Sequence, residues 1–234
     1  MFLLNQIVYL NVGFCSVLGQ EKEIRLLEDS LKKGQIPHSQ VFIGKDGYGL
    51  LLIAISYALK VVGMSESFSS KEDTINDSIV HPDIHFFFPS SVNSKSKSRQ
   101  EFLPLWHEFI KKGGYANLND WCEFAGIENK KPVIGVKESD EFIKRLGLKS
   151  FYGGWRCVIV WHAETMTSSA SNKLLKIIEE PGEKTLFLLL TDNEKKILPT
   201  ILSRCQKIKF RPLSDNKMAS YIKSLGVEGV RASS

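Results

Sequence analysis

The sequence lacks the cysteine pattern that would indicate a metal site or a disulfide framework. It has four cysteines in 234 residues, and no two of them stand in CxxC spacing: Cys15, Cys122, Cys157 and Cys205. Neither a zinc knuckle nor a set of structural disulfides is therefore indicated. We predict that the chain binds no metal ion.

The sequence also lacks a membrane span and a secretion signal. Its longest uncharged apolar stretch, LLLIAISYAL, is shorter than the roughly 18 residues that a spanning helix needs. The opening MFLLNQIVYLNVGF is interrupted by amide side chains and has neither a basic leading segment nor a small-residue cleavage pattern. We therefore expect a cytoplasmic protein with no membrane partner.

A strong charge of one sign is missing as well. The chain has 31 basic and 26 acidic residues and a formal net charge of +5, which permits contact with nucleic acid without arguing for it. Its length and ordinary composition predict one main domain with a small appendage.

Strands and helices alternate along the chain, which predicts an α/β fold with a mostly parallel sheet flanked by helices. A helical apolar stripe runs over residues 20–33, and a helix follows the glycine turn that begins at Gly44. CVIVW is the best candidate for a central strand, because a continuous apolar run is typical of a strand covered on both faces. The other predicted strands are residues 41–43, IHFFFP, TLFLLLT and residues 206–210.

Capping and breaking residues place the remaining helices. Ser139 begins one predicted helix, and Thr167 or Ser168 caps another that ends at Pro181-Gly182. Residues 194–204 are predicted to be helical, with Pro199 disturbing or restarting the helix.

Residues around 90–135 are predicted to be an insertion between strands. A polar stretch is followed by two helical patterns, whose aromatic residues we expect to form a small core within the insertion: Trp106, Phe109, Trp121 and Phe124. Lys95, Lys97 and Arg99 suit contact with a phosphate backbone, although such runs are most often solvated loops. His81, Asp83 and His85 resemble metal ligands, but the adjoining strand favours a structural loop.

A degenerate phosphate-binding loop lies between the first strand and its helix. The segment from Gly44 follows the pattern GxxxxGK[ST] up to its last two positions, where leucines replace the lysine and the hydroxyl. The loop residues are Gly44, Lys45, Gly47, Gly49, Leu50 and Leu51. Leucine neither neutralises the β- and γ-phosphates nor ligates magnesium, so we predict no turnover of ATP.

The acidic pair that holds magnesium and orients water in a working site is also missing. After VIVW comes His162, and Glu164 is expected to face elsewhere. Joint loss of the lysine, the hydroxyl and the carboxylates leaves the chemistry without its electrostatics.

The segment AETMTSSASNKLLKIIEEPGEKTLFLLLTDNEKKILPTILSRCQKIKF resembles the central signature of bacterial DNA polymerase III clamp-loader subunits. IPHSQVFIG and HPDIHFFFP resemble the delta-prime branch in particular. The resemblance implies an AAA+ type P-loop NTPase fold over residues 1–211. It also implies the start of a small helical lid domain over 212–234, which we expect to be incomplete.

The resemblance implies that Arg204 projects into the ATP site of a neighbouring subunit, with Ser203 and Cys205 at the same partner interface. The strand ending at Thr191 stands where the family has it, beside the degenerate pocket. The implied partners are the tau/gamma and delta subunits and, through the complex, the sliding clamp and primed DNA. Many delta-prime subunits also carry a four-cysteine zinc module, which is absent here, so no cofactor is expected.

Three functions remain open from the sequence. The first is a non-hydrolysing subunit of the polymerase holoenzyme, a nucleotidyltransferase assembly, that helps load the clamp in DNA replication. The second is a stand-alone nucleic-acid-binding protein on a degenerate P-loop fold. The third is an active ATPase of the tau/gamma type.

Overall fold

The computed structural model describes residues 17, 19–63, 81–91, 99–112, 115, 117–129, 131–136, 140, 150–151 and 153–212. Its strands are β1 (Ser39–Ile43), β2 (Ile84–Phe87), β3 (Ser90–Ser91), β4 (Pro132–Val133), β5 (Arg156–Val160), β6 (Thr185–Thr191) and β7 (Gln206–Lys209). Five of them form one sheet in the order β2-β5-β6-β1-β7, and every pairing in it is parallel. Strands β3 and β4 form a separate antiparallel pair.

The middle strand of the sheet is β6. All seven residues of β6 are buried, and β5 and β1 pair with it on either side. The CVIVW run provides most of β5, which is an interior strand between β2 and β6, as predicted. A continuous apolar run indicates that both faces of a strand are covered, but it does not rank the strands within a sheet.

Helices cover both faces of this sheet. They are α1 (Glu21–Lys32), α2 (Leu50–Gly63), α3 (Arg99–Lys112), α4 (Leu118–Ala125), α5 (Ser168–Glu179) and α6 (Pro199–Leu202). Alternate residues of β6 pack on opposite sides: Leu188 joins the cluster that includes α2, and Leu189 joins the cluster that includes α5 and α6. The α/β sheet flanked by helices is therefore as predicted.

Several predicted boundaries are confirmed. The Thr167 side chain accepts a hydrogen bond from the backbone N–H of Ala170 and so caps α5. Pro199 is the first residue of α6, after a separate 3-10 turn over Glu194–Lys196. The helix after Ser139 and the lid over 213–234 lie outside the described residues. Among the described helices, none is long and apolar enough to span a membrane.

The insertion shares its core with the sheet. Helices α3 and α4 separate β2 from β5, and Trp106 of α3 is fully buried. Its ring stacks on Phe88 at a centroid distance of 4.4 Å and lies 5.1 Å from Trp161, which follows β5. Trp121 of α4 donates from Nε1 to the carbonyl of Pro89 at 2.7 Å. The predicted aromatic core of the insertion is confirmed, since Trp106, Phe109, Trp121 and Phe124 pack on one another. It is continuous with the core of the sheet, which helical spacing alone does not reveal.

Replacing Trp106 by alanine tests this shared core. We expect Trp106→Ala to lower the free energy of unfolding of the whole domain by about 3–5 kcal/mol, because a large buried aromatic leaves a cavity that the sheet side chains also line. Chemical denaturation followed by far-UV and near-UV circular dichroism measures this loss. Phe151→Ala is the control, since Phe151 is 74% exposed. A separate low-stability transition confined to the aromatic signal would contradict the shared core.

Candidate functional site

The loop that begins at Gly44 lies at the carboxyl edge of the sheet. Gly44 directly follows β1, and its backbone N–H donates to the carbonyl of Thr191, the last residue of β6, at 3.0 Å. The loop then enters α2 at Leu50. This position between a strand and a helix is the one that a phosphate-binding loop occupies.

Two glycines give this loop its shape. Gly47 and Gly49 have φ angles of +83° and +82°, a region that side chains with a Cβ rarely adopt. A Cβ at Gly49 would also lie 2.9 Å from the side chain of Val17. The conformation of the loop therefore depends on these glycines.

The two residues after the last glycine of the loop belong to the hydrophobic core. Leu50 is 9% exposed and Leu51 is 2% exposed, and both pack in the cluster on the α2 face of the sheet. As predicted from the sequence, neither side chain offers a charge or an oxygen atom to a nucleotide.

A buried histidine occupies the place facing the loop. His162 follows β5 and Trp161, has a φ angle of 53°, and is 5% exposed. Its Nδ1 atom lies 2.7 Å from Glu164 Oε1, and its Nε2 atom lies 3.3 Å from Asp46 Oδ1. The backbone carbonyl of His162 accepts a hydrogen bond from Thr165 Oγ1 at 2.7 Å. The ring is thus held between two carboxylates, one of which belongs to the loop itself.

The carboxylates determine the charge of this histidine. Burial alone lowers the pKa of His162, but the contacts of its ring nitrogens with the carboxylates of Asp46 and Glu164, and the negative charges of those carboxylates, outweigh burial and raise that pKa to about 9. Burial raises the pKa of Glu164, and the bond to charged His162 outweighs burial and lowers it. At neutral pH the site therefore contains an imidazolium between two carboxylates.

Sequence reasoning missed part of this arrangement. Glu164 was expected to face elsewhere, yet it is 6% exposed and bonds to His162, because the turn Ala163–Thr165 reverses the chain after β5. Asp46 and Asp192 were not singled out, although both line the pocket. Two signals pointed to them: Asp46 is the acidic residue within the glycine loop, and Asp192 directly follows β6.

The pocket itself is small and partly open to solvent. Its volume is about 20 Å³, which is room for about one water molecule. The predicted pocket residues line it together: Gly44, Lys45, Gly47, Gly49, Leu50, Leu51, His162 and Thr191. Asp46 and Asp192 also line it, so its acidic and basic side chains are equal in number.

The insertion also contacts the glycine loop. The backbone N–H of Leu118, the first residue of α4, points to Asp46 Oδ2 at 3.5 Å. The ring of Tyr115 lies against Gly49, within 3.2 Å of the position that a Cβ would occupy. Part of the insertion therefore packs directly on the loop.

Arg204 lies at the opposite end of the sheet, where the amino ends of the parallel strands meet. It directly precedes Cys205 and β7, and its backbone carbonyl accepts a hydrogen bond from Ser39 Oγ, at the start of β1, at 2.7 Å. Its side chain is 42% exposed. Since Gly44 follows Ser39 by five residues that rise about 3.3 Å each, Ser39 and the start of the Gly44 loop are roughly 16 Å apart. Arg204 and the pocket of its own chain are thus on opposite edges.

The surroundings of Arg204 form an open cleft. The cleft has a volume of about 600 Å³, and its lining includes His38, Ile178, Glu179, Pro181 and Gln206. Ser203 is exposed beside it, whereas Cys205 is buried and points into the core. Within the triplet, Ser203 and Arg204 are therefore the residues at the surface.

The other candidate residues either make structural contacts or lie outside the described part of the chain. The Asp83 carboxylate is buried and accepts a hydrogen bond from the backbone of Phe151 at 2.8 Å, and His81 Nδ1 accepts one from Asp83 N–H. Lys95 and Lys97, and the side chain of Arg99, are outside the described part of the chain. Among the described residues, no group of three or more His, Cys, Asp or Glu is arranged to hold a metal ion. The absence of a metal stays a prediction.

Comparison with known proteins gives a family match over most of the chain. The family model for "DNA polymerase III, delta subunit" matches residues 19–214. The delta-prime subunit of Bacillus subtilis DNA polymerase III is 29% identical over 198 residues, covering 83% of this chain and 48% of that protein. The tau/gamma subunit of Haemophilus influenzae is 24% identical, covering 89% of this chain and 25% of its own length. The chain thus spans about half the length of the Bacillus relative and a quarter of the length of the Haemophilus relative.

Two solved structures share the fold. A gamma-subunit-related protein of DNA polymerase III from Thermotoga maritima superposes with a TM-score of 0.50 at 16% identity, covering 86% of this chain and 49% of that one. A variant of Thermotoga maritima RuvB superposes with a TM-score of 0.51 at 14% identity, covering 92% and 54%. At these identities the likeness concerns architecture alone.

The charge of His162 makes stability depend on pH in a defined direction. Because folding raises its pKa from 6.5 to about 9, the ion pairs contribute fully below pH 6.5, and their contribution is lost as pH rises to about 9. This pKa difference corresponds to a loss on the order of 3 kcal/mol in the free energy of unfolding. Urea denaturation at intervals from pH 6 to 10 measures it.

His162→Gln is the variant that identifies the responsible group. We expect it to remove most of this pH dependence, whereas His38→Gln, which changes an exposed histidine, leaves the profile as in the parent. The same slope in the His162→Gln variant and the parent would assign the pH dependence to another group.

Proposed function

Because the chain belongs to the DNA polymerase III delta-subunit family, a family of clamp-loader subunits, we propose that it is a non-hydrolysing delta-prime subunit that donates Arg204 to a neighbouring ATPase. Its five-stranded parallel sheet flanked by helices is the AAA+ type of fold that the sequence predicted. The family match supports membership of a clamp-loader assembly. What this chain contributes to that assembly is proposed from its own residues.

In the proposed assembly, tau/gamma and delta subunits flank this chain, and the complex loads the sliding clamp on primed DNA in the cytoplasm. One relative named delta-prime, one named tau/gamma and one named gamma each match over more than four fifths of the chain, which supports a place beside tau/gamma subunits. The ATP that drives loading is then bound by the partner subunits.

The position of Arg204 is the observation that carries the proposal. The guanidinium is exposed in an open cleft at the amino edge of the sheet, and its own degenerate pocket lies at the carboxyl edge. An arginine so placed cannot reach a phosphate in its own loop, but it is free to contact a nucleotide bound by another subunit.

Arginine suits this role chemically. Its planar guanidinium stays charged at any working pH and presents donors that match two phosphate oxygens at once. In the transition state of phosphoryl transfer, such a group stabilises negative charge that develops on the γ-phosphate. Lysine offers a single point of charge and does not reproduce the paired donors.

The small pocket supports the absence of ATP hydrolysis. Leucines replace the phosphate-binding lysine and the magnesium-binding hydroxyl, and His162 forms an ion pair with Asp46 of the loop. A nucleotide would have to displace this ion pair and approach the carboxylates of Asp46 and Asp192. The same features argue against the tau/gamma-type ATPase as an alternative.

The first experiment concerns the neighbouring ATPase. In a clamp loader reassembled with the full-length protein, we expect Arg204→Ala to lower phosphate release at the adjoining site by about 10³-fold, the lower end of the usual contribution of an arginine finger. We expect Arg204→Lys to restore little of it. Arg25→Ala removes an exposed arginine on α1 as the matched control. An unchanged ATPase rate in Arg204→Ala would exclude the trans role.

The second experiment concerns the chain by itself. We expect the isolated protein to release no phosphate from ATP above the buffer background, because the groups that bind magnesium and the γ-phosphate are missing. Malachite-green detection of phosphate over hours is sensitive enough for this test. Turnover in the parent that Lys45→Ala abolishes would instead favour the active ATPase.

A further inference from the structure

The guanidinium of Arg204 is held in place by its own subunit. Its Nη2 atom bonds to Glu179 Oε1 at 2.8 Å, and its Nη1 atom donates to the carbonyl of Thr200 at 3.0 Å. A longer contact joins Nη1 to Ser203 Oγ at 3.5 Å. Glu179 is the last residue of α5, and Thr200 belongs to α6. Two packed helices thus fix the tip of one exposed side chain.

The backbone of Arg204 is fixed independently. Its carbonyl accepts the hydrogen bond from Ser39 Oγ at 2.7 Å, and its N–H donates to the carbonyl of Ile201 at 3.0 Å. With both the backbone and the tip held, the long side chain has little freedom between them. The direction in which its remaining donors point is therefore set before any partner arrives.

Donors remain available for a ligand. A guanidinium has five N–H donors, and the contacts to Glu179, Thr200 and Ser203 engage at most three of them. The side chain is 42% exposed and opens onto the cleft of about 600 Å³. The arrangement therefore restrains Arg204 without covering it.

The ion pair is poorly suited to stabilising the fold. Glu179 and Arg204 are 40% and 42% exposed, and pairs as exposed as this contribute little to folding because water and salt screen them. A fixed geometry has a larger effect on catalysis, since a long side chain that is already ordered loses less entropy when it meets the transition state.

We propose that Glu179 is a positioning residue that orients the Arg204 guanidinium for the γ-phosphate of a nucleotide bound by the neighbouring subunit. This inference rests on the proposed trans role of Arg204. Glu179 acts through the arginine and touches no substrate. Its carboxylate fixes one edge of the guanidinium and leaves the other donors directed into the cleft.

The test uses the full-length protein in a reassembled clamp loader, with ATP as substrate and with the sliding clamp and primed DNA present. Glu179→Gln removes the charge and keeps the shape, and we expect it to lower the ATPase kcat at the adjoining site about threefold to tenfold with an unchanged KM. Glu180→Gln is the matched control, because it removes the same charge from the next residue, which is also exposed. We expect the control to match the parent.

A double variant separates positioning from a general effect on structure. In the Arg204→Ala background, Glu179→Gln is expected to cause no further loss, because the carboxylate then has no guanidinium to orient. An equal further loss in that background would overturn the positioning role. So would a parent-like or raised kcat in the single Glu179→Gln variant, since a raised rate would mean that Glu179 competes with the phosphate.

The outcomes of the two proposals are distinguishable. If Arg204→Ala leaves the neighbouring ATPase unchanged, the trans role itself fails. If Arg204→Ala abolishes stimulation while Glu179→Gln behaves like the parent, only the positioning role of Glu179 fails.

Discussion

The parallel direction of all five sheet strands is the constraint on which the rest of the molecule depends. Parallel strands gather their carboxyl ends at one edge and their amino ends at the other. The Gly44 loop follows β1 at the first edge, and Arg204 is bonded to the start of β1 at the second. Strand β1 therefore separates the pocket at its carboxyl end from the exposed Arg204 side chain at its amino end.

Polar contacts as well as apolar packing hold the residues around the pocket in place. His162 takes a left-handed backbone conformation at the end of β5, where its ring reaches both the loop and the following turn. A buried cation without partners would be costly, and the two carboxylates offset that cost. The histidine and the loop are thus joined through the Asp46 carboxylate.

The sequence predicted the fold more fully than the site, and the reasons are physical. Alternating apolar runs and capping residues such as Thr167 act locally, so strands, helices and the position of the loop could be read in order. The bond between Glu164 and His162 depends on the direction of a three-residue turn, and the Glu179 bond to Arg204 joins the end of α5 to the turn after α6. Helical spacing likewise identified Trp106 as buried without revealing that the sheet supplies its neighbours. Such tertiary contacts leave no periodic trace in the chain.

The burial of Leu50 and Leu51 has an evolutionary consequence. In a working loop these positions carry an ammonium and a hydroxyl, but here they contact the core that α2 shares with the sheet. A lysine at the first of them would place a charge among apolar side chains. A phosphate-binding side chain could therefore evolve at this loop only together with compensating changes in the surrounding core, so single substitutions here are expected to be selected against for stability before they affect chemistry.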